Sequence, residues 1–401
     1  MDRLVVLHPI TWKMFKQGHP WVTEDSYTRK FPKNENWLHA EQAGLNALIL
    51  HDPGHPKVKA RLWSLQKIGE QKSTENTFEK DFVERLQKAL HTRHTIKLHQ
   101  QRENIYLVFG EADHIPGLWI LKLGKILILQ TYAMIWQKEP FKKMVESNVM
   151  KEVKNLYPDV QELHWQTRVT VEENRQGDSG QKNLEFVLKE FGINYKIKIN
   201  QYYDFGIYTD MSSIRESMVS YLNDKKVLNL FCYTGAYSLF ALKAHAKSVY
   251  SVDLSEKYLA WLEENLKLNP DLPAANHHSV HASCTDALKD YIGKKQKFDF
   301  IICDPPSASS DGKKISNAFK NYEVLIPLMN KVLNQGGHML IFLNTHQVTD
   351  KKYTEKIKHL LQEVPGSFLM EKHVKLHQDC PTLNGFHEGN YLKGILIKKE
   401  R

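Results

Sequence analysis

The C-terminal half of this chain alternates short apolar runs with amphipathic stretches, and that rhythm limits the fold more than any other feature. From Tyr221 onward the expected elements are a strand at Lys226 to Phe231, a helix at Tyr237 to His245, a strand at Ser248 to Asp253, a helix at Lys257 to Leu268, and strands at Phe298 to Cys303 and Met339 to Phe342. Strands separated by helices pair in parallel and are covered on both faces. In such a sheet the ligand sits beyond the carboxyl ends of the strands, so the residues just after each strand are the place to look for chemistry.

The first strand runs into Cys232-Tyr233-Thr234-Gly235, where Gly235 lets backbone approach a ligand and the next helix offers free N–H groups. A dinucleotide site needs G-x-G-x-x-G to seat a pyrophosphate. Only one of those glycines is present, which favours a cofactor without phosphates over NAD or FAD. Asp253 closes the second strand, where a carboxylate accepts from ribose hydroxyls, and that role outweighs a plain helix cap. Asp286 ends the segment in which a third strand is expected and is within reach of an adenine amino group. The fourth strand enters Asp304-Pro305-Pro306-Ser307. Two prolines fix that turn, leaving the Asp304 carboxylate set to accept from a planar nitrogen or to orient a methyl group.

The first 70 residues carry strand-like runs at Arg3 to Leu7, Ala47 to Leu50 and Lys57 to Trp63 among frequent turn signals, the pattern of a small β-barrel-like module. Lys57, Lys59 and Arg61 alternate and would share one face, able to grip phosphate or simply to be solvated. A polar linker, Gly69 to Asn76, precedes a helix at Thr77 to His94, strands at Ile105 to Val108, Leu118 to Leu123 and Ile126 to Tyr132, and a helix at Phe141 to Leu156. Further strands are expected at Arg168 to Glu172, Leu184 to Lys189 and Asn194 to Ile199. The domains expected are therefore 1–70, a central α+β module with its hairpin at 75–190, and 191–401.

A formal charge of +9 suits a polyanionic partner, although the lysines are dispersed. The four cysteines are too widely spaced for a disulfide framework or a zinc site. The histidines are scattered, with His277 and His278 in a loop-like stretch, so no metal is expected. No long apolar segment or signal-peptide pattern is present, which points to a cytoplasmic protein with no membrane partner.

Taken in order, VLNLFCYTGAYSLFAL, SVDLSEKYLAWLEENLKLN, FDFIICDPPSAS and VLNQGGHMLIF resemble the class I methyltransferase core of the ribosomal RNA large-subunit methyltransferase I family. GHPWV and VKARLWS resemble that family's PUA domain, FGEADHIPGLWI its central module and EGNYLKG its C-terminus. The resemblance implies a PUA-like β-barrel, a central α+β module and a C-terminal α/β Rossmann-like domain. It implies S-adenosylmethionine as cofactor and large-subunit ribosomal RNA as substrate, with a homodimer as a further candidate assembly. Carried over by position, it places the cofactor against Phe231, Tyr233, Thr234, Gly235, Asp253, Leu254, Asp286 and Asp304. Catalysis falls to Asp304, Pro305, Pro306 and Asn344, and Arg215 joins the alternating Lys57, Lys59 and Arg61 as an RNA-binding candidate. The segment GIYTDMSSIR, with Tyr208, Thr209, Asp210 and Arg215, is similar to a family stretch that closes over cofactor or target.

One departure bears on the chemistry. Methylation of cytosine C5 requires a thiolate that first adds to C6. Where the family's 5-methylcytidine branch resembles S-C-S-G, this chain has Leu343-Asn344-Thr345-His346. Cys303 alternates into the sheet and reads as a small buried residue. Direct transfer to a purine nitrogen is therefore ranked above cytosine C5, with an inactive RNA-binding assembly protein and a small-molecule methyltransferase as further alternatives.

Overall fold

The computed structural model describes residues 4–68, 70, 74–168, 183–202, 204–306, 308–310 and 315–400. Arg3, half of the expected linker, the expected strand beyond Arg168, the turn region up to 182, and Ser307 lie outside the described residues. Two compact units are present. The first comprises Met1–Leu184, Ile199–Tyr203 and Gln378–Gly389, and the second comprises Glu185–Lys198, Asp204–His377 and Asn390–Arg401. Among the described residues no helix is long and apolar enough to cross a membrane.

The first unit opens with α1 (Pro9–Lys16), β1 (Trp21–Thr23), β2 (Trp37–Gln42), β3 (Leu45–His51) and β4 (Val58–Lys67). The strands form an antiparallel sheet in the order β1-β4-β3-β2. In place of the expected first strand, Leu4 makes a single bridge to His39. Helix α1 escapes a periodicity reading because it is two turns long. It is set by Pro9 in its first turn and by the His8 side chain, which accepts from the Ile10 N–H.

Next come α2 (Phe78–Thr95), β5 (Asn104–Phe109), β6 (Leu118–Leu123), β7 (Ile126–Thr131), α3 (Phe141–Leu156) and β8 (Glu162–Thr167), with the sheet order β5-β6-β7-β8. Phe82, Leu86 and Leu90 of α2 and Val145, Val149 and Val153 of α3 are buried on that sheet, as their spacing of four requires. The N-terminal strands share this core. Trp37 and Trp63 pack on Phe78, with ring centroids 4.4 and 4.5 Å apart. That shared aromatic cluster joins residues expected in separate modules, at 1–70 and 75–190, within the first unit, although 185–190 of the second module fall in the second unit.

The same packing corrects the expected basic face of β4. Lys57 is exposed, but Arg61 is buried, with Nη1 2.7 Å from Asp52 Oδ2 and Nη2 donating to the Tyr132 carbonyl at 2.8 Å. Lys59 donates to the His55 carbonyl at 2.7 Å. Simple alternation fails because Ala60 and Arg61 are both buried in succession, on opposite sides of a strand that is covered on each face. Breaking a buried pair strands its partner's charge. Arg61→Met is therefore expected to destabilise the chain by about 3–5 kcal/mol, measured by urea denaturation. A loss below about 1 kcal/mol would show that Asp52 is satisfied without it.

The second unit begins with β9 (Leu184–Glu190) and β10 (Ile193–Ile199), turned at Phe191 and Gly192 with φ of 47° and 79°, the left-handed pair that a two-residue hairpin needs. After α4 (Ser212–Ser217) the chain alternates through β11 (Lys226–Leu230), α5 (Ala236–Lys243), β12 (Ser248–Asp253), α6 (Glu256–Lys267), β13 (His277–His281), α7 (Cys284–Gly293) and β14 (Phe298–Cys303). A short hairpin, β15 (Ala308–Ser310) and β16 (Ile315–Asn317), leads to α8 (Ala318–Val332), β17 (Leu333–Asn344), α9 (Asp350–Gln362), β18 (Phe368–Val374) and β19 (Leu392–Lys399).

The seven-stranded sheet has the order β13-β12-β11-β14-β17-β19-β18. Its first five strands are parallel, and β19 runs antiparallel to both neighbours. The order reverses between β11 and β14, which is the switch point where such sheets open a crevice. His277 and His278, expected in a loop, lie in β13. That strand is a polar edge strand, so it lacks the apolar run that marks its buried neighbours.

Candidate cofactor and catalytic site

Parallel register brings the expected strand-tip residues together. Leu230 pairs with Val252 on one side and with Cys303 on the other, and Cys303 pairs with Ile341. Phe231, Asp253 and Asp304 therefore stand at adjacent tips, with the exposed Asn344 three residues beyond Ile341.

The loop from Phe231 to Gly235 is tightly wound. Phe231, Tyr233 and Gly235 have φ of 56°, 52° and 79°. Non-glycine residues in that region cost energy and persist only where neighbours hold them. Asp253 is one holder: its Oδ2 accepts from the Tyr233 N–H at 2.9 Å and its Oδ1 from the Ser255 N–H at 2.8 Å. Burial pushes the Asp253 pKa up, opposed by those backbone donors. Beside it, Leu254 is 68% exposed, an apolar surface at the strand tip.

Thr234, expected to touch cofactor, instead faces inward. It is fully buried, donates to the Gly206 carbonyl at 2.5 Å, and accepts on its own carbonyl from Asn265 Nδ2 at 3.0 Å. The Tyr233 hydroxyl accepts from the Gly206 N–H at 3.1 Å, so the two residues clamp Gly206 on both sides. Gly235 serves helix packing: a Cβ there would lie 2.5 Å from the Leu262 side chain.

Asp286 lies in the first turn of α7, not at the end of the third strand. It sits a turn into α7, exposed, accepting from Ser283 Oγ at 2.7 Å while Ser283 caps the helix at the Asp286 N–H. Overlooking β13 shifted the third strand's end downstream by those few residues. Arg215 is buried rather than offered to RNA. Its Nη2 donates to both Glu190 oxygens, at 2.8 and 3.0 Å, and to the Tyr208 carbonyl at 3.1 Å. Its charge stays inside because Glu190 compensates it, and the pair fixes the segment leading to Asp210.

Asp304 is half-buried between the buried Pro305 and its own strand. Burial raises its pKa to about 7, with Asp210 adding to the rise and Arg215 opposing it. Asp210 accepts from the Tyr391 hydroxyl at 2.6 Å. Lys393 holds the neighbouring tip, donating to the carbonyls of Thr345 at 2.6 Å and Asn390 at 2.7 Å. Tyr237 completes the group: its buried hydroxyl has no hydrogen-bond partner among the described residues, and its pKa is raised by burial. The sequence reading did not single out Glu190, Tyr237, Tyr391 or Lys393. The only signal for the last two was the GNYLKG stretch.

Cys303 is fully buried, and burial pushes its thiol, like that of Cys232, well above the ordinary range. Cys284 is pushed up to about 12. None of the three is a thiolate at neutral pH.

A phosphate-free adenosine ligand fits this donor set. Asp253 has lone pairs left for hydroxyls, Leu254 offers an apolar face, and the unpartnered Tyr237 phenol stands near Asp304. The comparisons with known proteins agree. A family model described as conserved hypothetical protein 95 matches residues 211–362. Ribosomal RNA large subunit methyltransferase I of Alteromonas mediterranea is 24% identical, covering 99% of each chain, and that of Erwinia tasmaniensis is 25% identical, covering 96% of each. The chain resembles ribosomal RNA large subunit methyltransferase I along its whole length. Among solved structures, a protein described as a SAM-dependent methyltransferase from Streptococcus mutans superposes with a TM-score of 0.79 at 20% identity, covering 99% of this chain and 100% of its own. A methyltransferase solved with S-adenosylhomocysteine (SAH) gives 0.81 at 20% identity, with the same coverage. These structures establish the class I methyltransferase fold of the C-terminal unit.

The raised pKa of Asp304 has a sign that can be checked. The unfolded chain releases this proton near 3.8, whereas the folded chain keeps it to about 7, so stability falls as pH rises across that window. Asp304→Asn removes the penalty. The variant's gain in melting temperature over wild type is expected to be near zero at pH 4 and to grow to a plateau above pH 7. A gain that does not change with pH would place the titration elsewhere.

Proposed function

We propose that this chain is an S-adenosylmethionine-dependent methyltransferase acting on a base of large-subunit ribosomal RNA, with the methyl group passing directly to a purine nitrogen. The observation that carries the reading is the pair of carboxylates, Asp253 and Asp304, at tips flanking the left-handed, single-glycine loop between them. The full-length likeness to proteins named for that reaction supports the substrate class. The buried thiols favour nitrogen over cytosine C5, since no cysteine at this edge is ionised to add to a ring carbon.

In this reading the bound cofactor supplies an electrophilic methyl group on its sulfonium. Asp253 accepts from the ribose hydroxyls, Phe231 and Leu254 flank the adenine, and the Tyr237 phenol donates toward the amino-acid end. Asp304 accepts from a ring-edge N–H and so orients the acceptor nitrogen, while Pro305 and Pro306 keep the turn rigid and displace water. Asn344 offers a second polar contact at the neighbouring tip. The N-terminal sheet is the proposed PUA-like RNA-binding module, in which Lys57 remains available to phosphate.

Incubation of the protein with labelled cofactor and undermodified large-subunit ribosomal RNA, followed by nucleoside mass spectrometry, tests the proposal. A methylated purine is expected. Formation of 5-methylcytidine that disappears in Cys303→Ser would overturn the nitrogen assignment, and no product at all would overturn the activity. The two carboxylates should separate kinetically. Asp253→Ala is expected to weaken SAH binding by roughly tenfold or more, the scale of a charged hydrogen bond. Asp304→Ala is expected to lower kcat by a larger factor than it changes SAH affinity. Equal losses in both parameters for Asp304→Ala would contradict its place beside the methyl group.

A further inference from the structure

Tyr208 is 43% exposed, one of few large apolar side chains left open in the second unit. It is nevertheless held rigidly. Its hydroxyl donates to Asp204 Oδ2 at 2.8 Å, and its carbonyl accepts from Arg215 at 3.1 Å. Its ring lies 5.3 Å from that of Tyr233, which in turn packs edge-on against Tyr258 at 4.6 Å. The segment carrying it is anchored at both ends. Gly206 is clamped by Tyr233 and Thr234, and a Cβ on Gly206 would lie 2.2 Å from Trp261. Asp210 is tied to Tyr391. Tyr208 thus stands midway along a strap crossing from α6 to the tip of β19, beside the loop of β11 and within electrostatic reach of Asp304.

The exposed part of a ring held this firmly is open to a planar ligand, while its hydroxyl is tied down by Asp204. Asp253 and Leu254 define the cofactor side of the crevice, one tip away on β12. The ring borders Tyr233 of the β11 loop, and the Asp304 charge at the neighbouring tip acts on its hydroxyl. Resting on the reading above, we infer that Tyr208 is the platform on which the acceptor nucleobase stacks once it leaves its RNA helix, fixing the plane of the base relative to Asp304. Stacking on a tyrosine ring tolerates any base, so Tyr208 sets the plane and Asp304 the edge that is read.

The test compares Tyr208→Ala and Tyr208→Phe in the full chain, measuring methyl transfer to large-subunit ribosomal RNA and calorimetric binding of SAH. Tyr208→Ala is expected to lower kcat/KM for RNA by roughly ten- to one-hundredfold, the range for loss of one base stack, with the SAH dissociation constant within about twofold of wild type. Tyr208→Phe, which keeps the ring and loses the bond to Asp204, is expected to retain most of the activity. An unchanged kcat/KM in Tyr208→Ala, or an equal loss in SAH affinity, overturns the stacking role while wild-type turnover leaves the parent reading standing. Wild-type protein that binds SAH but methylates no ribosomal RNA overturns both.

Discussion

The second unit depends on a loop that its own residues would not adopt unaided. Three of the five positions from Phe231 to Gly235 are left-handed, two of them aromatic. The conformation survives because Asp253 takes the Tyr233 N–H and because Tyr233 and Thr234 lock onto Gly206. One carboxylate therefore shapes the turn while it stands at the strand tip that borders the crevice. The reversal of strand order between β11 and β14 opens the space that this loop borders.

Desolvation organises the other side of the crevice. Burying Glu190 with Arg215 provides a fixed ion pair under the segment that carries Tyr208 and Asp210. Tyr391 then brings the chain's C-terminal region onto Asp210, and Lys393 gathers the carbonyls at the neighbouring tip. Burial, with the Asp210 charge adding to it and Arg215 opposing it, leaves Asp304 giving up its proton near neutrality. A carboxyl poised there is suited to holding a polar ring edge without carrying a full buried charge.

Much of this was legible in the residues. Helix α3 and strands β12 and β14 were placed at their observed ends because long apolar stripes and buried apolar runs are strong signals. Asp253 and Asp304 stand at strand ends as the sequence suggests, because the strand-tip rule applies wherever a parallel sheet is recognised. What was missed has physical causes. β13 is a polar edge strand with no apolar run, so its end at His281 was overlooked and Asp286 stands in the first turn of α7 instead of at the strand end. Arg61 was read as a phosphate contact from strand alternation and Arg215 as an RNA contact from the family resemblance, yet each is neutralised by a buried carboxylate, Asp52 or Glu190, far enough along the chain that no local pattern records the pairing. Thr234 lies at the right loop position but points inward to Gly206, a distinction that depends on side-chain direction rather than on spacing.

The central claim is a phosphate-free adenosine ligand laid across the tips of β11, β12 and β14. A crystal structure of the full chain grown with S-adenosylhomocysteine tests it most directly. The account predicts ribose oxygens within hydrogen-bond distance of Asp253, the adenine against Leu254, and the sulfur facing Asp304. A ligand bound on another edge of the sheet, or a crevice that stays closed to it at millimolar concentration, would contradict the account.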